Sequence, residues 1–308
     1  MIFILLALLS FIAYMLRKCI QLVREVKASR RTEPYDTPVE TEFVEALGFR
    51  VRITDSKSAL YTPAPAPSVE ASNSIVFIHG LFGCLETWIP VQQELSQQHI
   101  LRIVTINLGE DSSLQPLNWT AQASVVAKIL DVLDVSNTFI VGHGSGAMVA
   151  ARAAIFSERV RGVVFLAPII HRYWTLALLP WLVSSKMRFT HASISDRMRK
   201  HHKNPGTLAP EVAAAHNAAA CSIPFLAAIL STVAKKDSPF IQVLSNIKVP
   251  MHIVWADRDT FQHSCEKELD GIVSSSETIA DSDHWIQHEQ PKVLTGILLK
   301  FIGSVMHT

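Results

Sequence analysis

Short apolar runs alternate with longer amphipathic stretches along most of this chain. Five runs are predominantly apolar, so their side chains can be buried on both faces of a sheet. They cover residues 74–78, 101–106, 139–141, 160–166 and 250–255. Strands of this kind are typical of a parallel sheet that helices cover on both sides. The pattern therefore predicts an α/β fold with a mostly parallel central sheet.

Helical patterns fill most of the segments between these strands. In residues 120–133, apolar side chains recur at helical spacing and form one face of a helix. Further helices are predicted at residues 86–98, 147–156 and 291–305. The alternation stops within residues 169–246, where no strand pattern is clear. This insertion predicts a helical cap over one end of the sheet, within a single folded domain at residues 43–308.

The N-terminal segment is apolar enough to enter a membrane. Residues 1–16 carry no charged side chain, and positive charges follow at Arg17, Lys18 and Arg24. A cleavable signal peptide carries its positive charge before the apolar core, so this order predicts a retained signal anchor at residues 1–23. The positive-inside rule then places the folded domain on the cytosolic side of an endomembrane, such as that of the endoplasmic reticulum. Residues 24–42 form the predicted juxtamembrane linker.

Composition narrows the function. The chain has 308 residues, and 28 Lys+Arg against 27 Asp+Glu give no global field that would attract nucleic acid. The cysteines have no paired spacing, which disfavours a zinc site or a disulfide framework. They are Cys19, Cys84, Cys221 and Cys265. We therefore expect no metal and no cofactor. The expected partners are the membrane and a small apolar or lipid-like ligand, not nucleic acid.

Candidate chemistry follows the strands. Ligands bind at the carboxyl ends of strands in open α/β sheets. His79 and Gly80 follow one apolar run, in a glycine-containing loop that can aim a backbone N–H at a developing oxyanion. Asp259 follows the strand that ends near Trp255, and His284 lies about one strand further on. An acid and a histidine in this order can orient and transfer a proton in a catalytic triad.

These motifs together resemble the α/β-hydrolase family over roughly residues 40–305. Residues 79–83 look like its oxyanion loop, and residues 141–146 look like the sharp turn between strand and helix called the nucleophile elbow. Asp259 matches the acid of the family and His284 its base. The resemblance implies oxyanion donors at Leu81 and Ser145. The anchor is similar to that of membrane-bound monoacylglycerol lipases, and the cap is similar to those of epoxide hydrolases.

The elbow departs from the family pattern. The common form V-G-H-S-x-G-G puts Gly144, not Ser145, at the nucleophile position. Small residues are needed two positions before and two positions after the nucleophile, because strand and helix cross closely there. Gly142 and Gly146 satisfy this around Gly144, whereas His143 would be a poor fit around Ser145. Crowding therefore favours Gly144, and Ser145 remains the alternative nucleophile.

The predicted function depends on this register. We expect a membrane-anchored hydrolase of lipid-like or small apolar esters with a degenerate elbow. If Ser145 is the nucleophile, the protein is an ordinary serine esterase. One alternative is a catalytically inactive homologue that binds a small apolar ligand or a partner. A further alternative is an enzyme in which the His284–Asp259 dyad acts without a covalent nucleophile.

Overall fold

The computed structural model describes the chain in separate ranges. They are residues 40–58, 73–81, 83–98, 101–108, 118–169, 198–220, 240–259 and 271–307, with isolated positions 10, 13, 14, 17, 20, 21, 24, 196 and 269. Within these residues the chain forms one eight-stranded sheet with the order β1-β2-β4-β3-β5-β6-β7-β8. The strands are β1 Glu42–Ala46, β2 Phe49–Asp55, β3 Ser74–Ile78, β4 Arg102–Ile106, β5 Thr138–His143, β6 Val160–Leu166, β7 Met251–Ala256 and β8 Ser275–Ile279.

Strand pairing follows the apolar pattern. The five neighbouring pairs from β4 to β8 are parallel, whereas β1–β2 and β2–β4 are antiparallel. All residues of β3 and β5 are buried, as expected for central strands that helices cover on both faces. The predicted α/β fold with a mostly parallel sheet is therefore confirmed.

Helices cover both faces of the sheet. They are α1 Ile89–Ser96, α2 Trp119–Val132, α3 Gly146–Phe156, α4 Pro210–Ala220, α5 Phe240–Leu244, α6 Ile286–Glu289 and α7 Pro291–Met306. Val76 and Ile78 of β3 face a core that includes α2 and α3. Ile75 and Phe77 face a second core that includes α1 and α7. Alternate residues of one strand thus supply two separate cores.

Part of the predicted cap lies within the described residues. A short 3-10 helix at Pro205–Thr207 precedes α4, and no strand occurs in the described part of residues 169–246. Met198, Leu208 and Val212 pack against Trp285, the residue that follows His284. Residues 170–195 and 221–239 lie outside the described residues, so the extent of the cap stays a prediction.

One edge of the sheet is formed by a strand that the sequence analysis did not predict. β1 was not predicted; it is an edge strand that follows the predicted linker and pairs Phe43 with Arg52 in β2. Its short, half-polar pattern has no apolar run, which is why sequence reasoning missed it.

No helix in the described part of the chain is long and apolar enough to cross a membrane. Most of the predicted anchor at residues 1–23 lies outside that part.

Candidate active site

The sheet brings the predicted site residues to one edge. β3 leads to the loop at His79–Leu81, β5 to the elbow at Gly144, and β7 to Asp259. The segment after β8 carries His284. Because these strands are parallel neighbours, their carboxyl ends lie side by side, and residues far apart in sequence meet there.

Asp259 and His284 form a buried pair. His284 Nδ1 lies 2.8 Å from Asp259 Oδ2, and the two side chains are 8% and 0% exposed, respectively. Nδ1–H donates a hydrogen bond to the carboxylate, which leaves Nε2 as the nitrogen with a free lone pair in this tautomer. The backbone N–H of His284 donates to Asp283 Oδ1 at 2.7 Å, which fixes the loop next to the ring. This arrangement can orient an imidazole and stabilise its charged form during proton transfer.

His143 supports the backbone of His284. Its Nε2 lies 2.9 Å from the carbonyl oxygen of His284, which accepts the hydrogen bond, so Nε2 carries the proton. Burial, together with the neighbouring His284, holds the pKa of His143 well below the usual range for histidine. A neutral His143 therefore holds the loop without adding a charge beside the dyad. Sequence reasoning treated His143 only as a bulky elbow residue and did not identify this contact.

The elbow is crowded on both sides of Gly144. A Cβ atom at Gly142 would lie 2.6 Å from the carbonyl oxygen of Gly146. A Cβ atom at Gly146 would lie 2.6 Å from the carbonyl oxygen of His79. Neither position can hold a side chain without movement of the backbone. These contacts occur two residues before and two residues after Gly144, where the crowding argument requires them.

Gly144 occupies the point of the turn. Its φ is +56°, in the left-handed region that glycine adopts without steric cost. A Cβ atom built there would lie 3.3 Å from His284 Nε2, nearer than to any other atom except those of its chain neighbours. A side chain at position 144 would therefore face the His284 ring, and glycine places no side chain there.

Ser145 is directed elsewhere. Its hydroxyl oxygen accepts a hydrogen bond from the backbone N–H of Leu81 at 2.8 Å. No hydrogen bond between Ser145 and His284 occurs among the described residues. The backbone N–H of Leu81 was predicted to be an oxyanion donor, and in the structure it donates to the hydroxyl oxygen of Ser145. The backbone N–H of Ser145 precedes α3, where amide groups have no intrahelical acceptor and can bind an anion.

The oxyanion loop is held by a buried histidine. His79 Nε2 accepts a hydrogen bond from the backbone N–H of Leu108 at 3.1 Å, and Nδ1 donates to the carbonyl oxygen of Gly80 at 2.9 Å. Burial lowers the pKa of His79, which favours this neutral form. A Cβ atom at Gly80 would lie 2.7 Å from the carbonyl oxygen of His143, so the loop touches the elbow directly.

Described residues of the cap insertion contact the loop that carries His284. His202 Nε2 lies 3.0 Å from His288 Nδ1, and the backbone N–H of Asn204 donates to Glu289 Oε1 at 2.8 Å. The other oxygen of Glu289 accepts from the backbone N–H of Asp283 at 2.8 Å. Sequence reasoning did not find the two contacts that join cap and loop, because their partners lie 86 and 85 residues apart. Among the described residues, no group of acidic, cysteine or histidine side chains could hold a metal ion.

Comparisons with known proteins agree with this architecture. One curated relative is ethanol acetyltransferase 1 of Cyberlindnera fabianii, which is 28% identical over 112 residues, or 34% of this chain and 33% of that protein. The chain spans less than half of the length of the curated relatives it matches.

Two solved structures share the fold at low identity. A bacterial membrane phospholipase A superposes with a TM-score of 0.68 at 16% identity, and the match covers 100% of both chains. Naproxen esterase from Bacillus subtilis superposes with a TM-score of 0.62 at 15% identity, over 92% of this chain and 98% of the esterase. The model of the alpha/beta hydrolase family matches residues 75–296, which include the loop, the elbow, Asp259 and His284. This chain therefore belongs to the alpha/beta hydrolase family.

Proposed function

We propose that this protein hydrolyses small apolar or lipid-like carboxylic esters by direct attack of water, without an acyl-enzyme intermediate. One observation carries the proposal: glycine stands where the nucleophile would stand, while a Cβ atom there would lie 3.3 Å from His284 Nε2. His284 and Asp259 form the dyad, and in this proposal a water molecule takes the role of the serine hydroxyl.

The steps follow from the geometry. His284 Nε2 removes a proton from water as the water oxygen bonds to the carbonyl carbon of the ester. Asp259, 2.8 Å from Nδ1, stabilises the imidazolium that results. The oxyanion accepts from the backbone N–H of Ser145. The carbonyl then re-forms, the C–O bond to the alcohol breaks, and the departing oxygen takes the proton from Nε2. The products are a carboxylic acid and an alcohol.

The expected rate is low. Loss of the nucleophile from a complete triad costs about 10⁶-fold in kcat. Attack by water keeps only the contributions of the general base, the oxyanion site and substrate binding. A protein that has a glycine at this position is therefore expected to turn over esters slowly.

Substrate and location belong to the same proposal. The phospholipase and esterase folds support a lipid-like or small apolar ester, because both act on carboxylic esters according to their names. The uncharged residues 1–16 and the basic residues that follow them support a single-pass anchor at residues 1–23 with the folded domain on the cytosolic side. Such an anchor would hold the site close to substrates dissolved in the bilayer. Carbonate extraction and protease protection of the full-length protein in microsomes test the anchor and its orientation.

The enzymatic test uses both members of the dyad. The wild-type protein is assayed on short-chain and monoacylglycerol esters, beside His284→Ala and Asp259→Asn. We expect both variants to lose about 10²- to 10⁴-fold in kcat, which is the usual contribution of a general base. We expect no labelling of the wild-type protein by a fluorophosphonate and no burst of the first product. Stoichiometric labelling of Ser145 would show instead an ordinary serine esterase.

A second candidate function is ligand binding without turnover. The observation that favours it is the hydrogen bond of Leu81 to Ser145 Oγ, which occupies a predicted oxyanion donor. In this case the protein retains the apolar site of its family and binds a small apolar ligand or a partner. The absence of turnover across ester, epoxide and amide panels, together with a rise in Tm on addition of a fatty acid or monoacylglycerol, would support it over the dyad enzyme.

A further inference from the structure

The hydroxyl group of Ser145 has a proton that no acceptor among the described residues binds. Its oxygen accepts from the backbone N–H of Leu81 at 2.8 Å. In the described part of the chain, the hydroxyl donates to no acceptor. The side chain is only partly buried, so a ligand can approach it. A hydroxyl group has one donor and two acceptor sites, and here an acceptor site is occupied while the donor is available.

The contact with Leu81 changes what this hydroxyl can do. Chains of hydrogen bonds polarise one another, so an O–H that accepts from an amide is a better donor to the next oxygen. The N–H of Leu81 is occupied by this contact, and the Ser145 hydroxyl is the donor that stays available on the elbow side. The backbone N–H of Ser145 belongs to the same residue, so both donors are fixed next to Gly144.

We propose that the Ser145 hydroxyl is a catalytic residue that donates a hydrogen bond to the oxyanion in place of the Leu81 backbone N–H. This inference rests on the proposed function, because an oxyanion forms only where an ester is attacked. The serine one residue past the nucleophile position is then an electrophilic group and not a displaced nucleophile. No covalent bond to Ser145 forms at any step, and its proton stays on the hydroxyl oxygen.

The kinetic arm of the test compares Ser145→Ala with Ser145→Thr, which keeps the hydroxyl. Removal of one oxyanion donor typically costs about 10²- to 10³-fold in kcat. In Ser145→Ala the N–H of Leu81 becomes available again, so we expect a smaller loss of about 10- to 100-fold, with little change in KM. Ser145→Thr should restore most of the rate. Ser136→Ala, two residues before β5 and at the end of the strand away from the elbow, is the matched control and should leave kcat unchanged.

A binding arm does not depend on turnover. The probes are an alkyl phosphonate monoester, which is tetrahedral and anionic like the oxyanion intermediate, and a neutral amide of the same chain length. By calorimetry, we expect Ser145→Ala to weaken phosphonate binding by a factor similar to its loss in kcat. We expect the same variant to bind the amide as the wild-type protein does.

The two arms separate this inference from the proposed function. If no ester is hydrolysed but phosphonate binding depends on Ser145, the proposed hydrolysis and the catalytic role of Ser145 both fail, and the hydroxyl is a donor to a bound anion only. If esters are hydrolysed and Ser145→Ala changes neither kcat nor phosphonate affinity, the hydroxyl donor is refuted and hydrolysis stands. A faster Ser145→Ala also refutes it, because the hydroxyl would then merely block Leu81. Fluorophosphonate labelling of Ser145 overturns both, as does a protein that neither turns over esters nor binds the phosphonate.

Discussion

At the scale of single residues, contact distances at the elbow determine which side chains the site can hold. A Cβ atom at Gly142 would meet the carbonyl oxygen of Gly146 at 2.6 Å, well inside van der Waals contact. Gly146 is limited in the same way by His79. Gly144 differs, because the atoms nearest to its Cβ would be side-chain atoms, of the His284 ring at 3.3 Å and of Ile169 at 3.8 Å. The two flanking glycines are required for packing, whereas a Cβ atom at position 144 has contacts of 3.3 Å or more.

Substitution of Gly142 tests the packing requirement. We expect Gly142→Ala to lower the free energy of unfolding by about 1–3 kcal/mol, because overpacking forces the strand and helix apart. Gly296→Ala is the matched control: Gly296 is an exposed position in α7, and nothing lies within 4 Å of its Cβ. It should stabilise the protein by up to about 1 kcal/mol through helix propensity. Urea denaturation measures both, and equal stability of the two variants would contradict the crowding argument.

A serine at position 144 tests the register of the elbow. Its Cβ would stand beside His284 Nε2, so we expect Gly144→Ser to gain fluorophosphonate labelling and a burst of product that the wild-type protein lacks. The positive φ should cost about 1–2 kcal/mol of stability. Gly144→Ala bears the same strain without a hydroxyl and should show no labelling. If Gly144→Ser remains unlabelled while folded, position 144 does not face the dyad.

At the scale of elements, the site depends on how the cap insertion docks on the segment after β8. Glu289 at the end of α6 binds the cap backbone at Asn204 and the loop backbone at Asp283 with its two oxygens. The Trp285 ring lies nearly parallel to the rings of His202 and His288, at interplanar angles of 11° and 8°, and the two histidines also contact each other. The contacts that hold the cap therefore also hold the backbone next to His284, and a change in the docking of the cap is expected to alter the dyad.

Docking through histidines makes stability depend on pH. Burial lowers the pKa of His202, and burial together with His216 lowers that of His288 well below the usual range. In the unfolded chain both side chains have a pKa of about 6.5. As the pH falls below this value, the unfolded chain binds protons that the folded protein does not, so the free energy of unfolding decreases. The contribution of the two histidines to stability is fully present above this value.

We expect the urea midpoint to fall as the pH is lowered from about 7.5 to 5.5. The free energy of unfolding should decrease by at most about 1.4 kcal/mol per pH unit for each histidine. His202→Gln should make this slope shallower, whatever its effect on stability at pH 7.5. His79, His143 and His252 are buried with lowered pKa values and contribute in the same direction, so some slope remains. An unchanged slope in His202→Gln would show that this histidine is not protected from protonation by the fold.

At the scale of the whole molecule, the sheet separates two hydrophobic cores. Ile129 of α2 is fully buried in one core, and Leu298 of α7 is fully buried in the other. Residues of a single strand point alternately into each. The site lies at the carboxyl edge of the sheet, where strands supported by both cores end, so its positions depend on the packing of both.

Truncation in each core tests this separation. Ile129→Ala and Leu298→Ala should each cost about 2–5 kcal/mol of unfolding free energy, from lost burial and the cavity that remains. Because the sheet lies between them, their effects should add within about 0.5 kcal/mol in the double variant. Denaturant unfolding of the three variants measures this. A coupling energy of 1 kcal/mol or more would show that the cores do not respond independently.

Much of the architecture followed from local patterns. Apolar runs determine which strands are buried on both faces, and the strands at 74–78 and 160–166 occur where the pattern predicts them. Gly142, Gly144 and Gly146 predict the register of the elbow, because steric crowding acts between residues close in sequence. The positions of Asp259 and His284 after successive strands predicted that the two side chains would meet. Their catalytic roles stay a prediction.

Only the tertiary structure decided what Ser145 does. Its partner Leu81 lies 64 residues away, and His202 meets His288 across 86 residues. No periodicity along the chain encodes such pairs, since they arise when separate elements pack together. The sequence by itself determined that a glycine stands at the point of the elbow and that a serine follows it. The packing of loop against elbow decided that the serine hydroxyl faces the oxyanion loop and not the histidine.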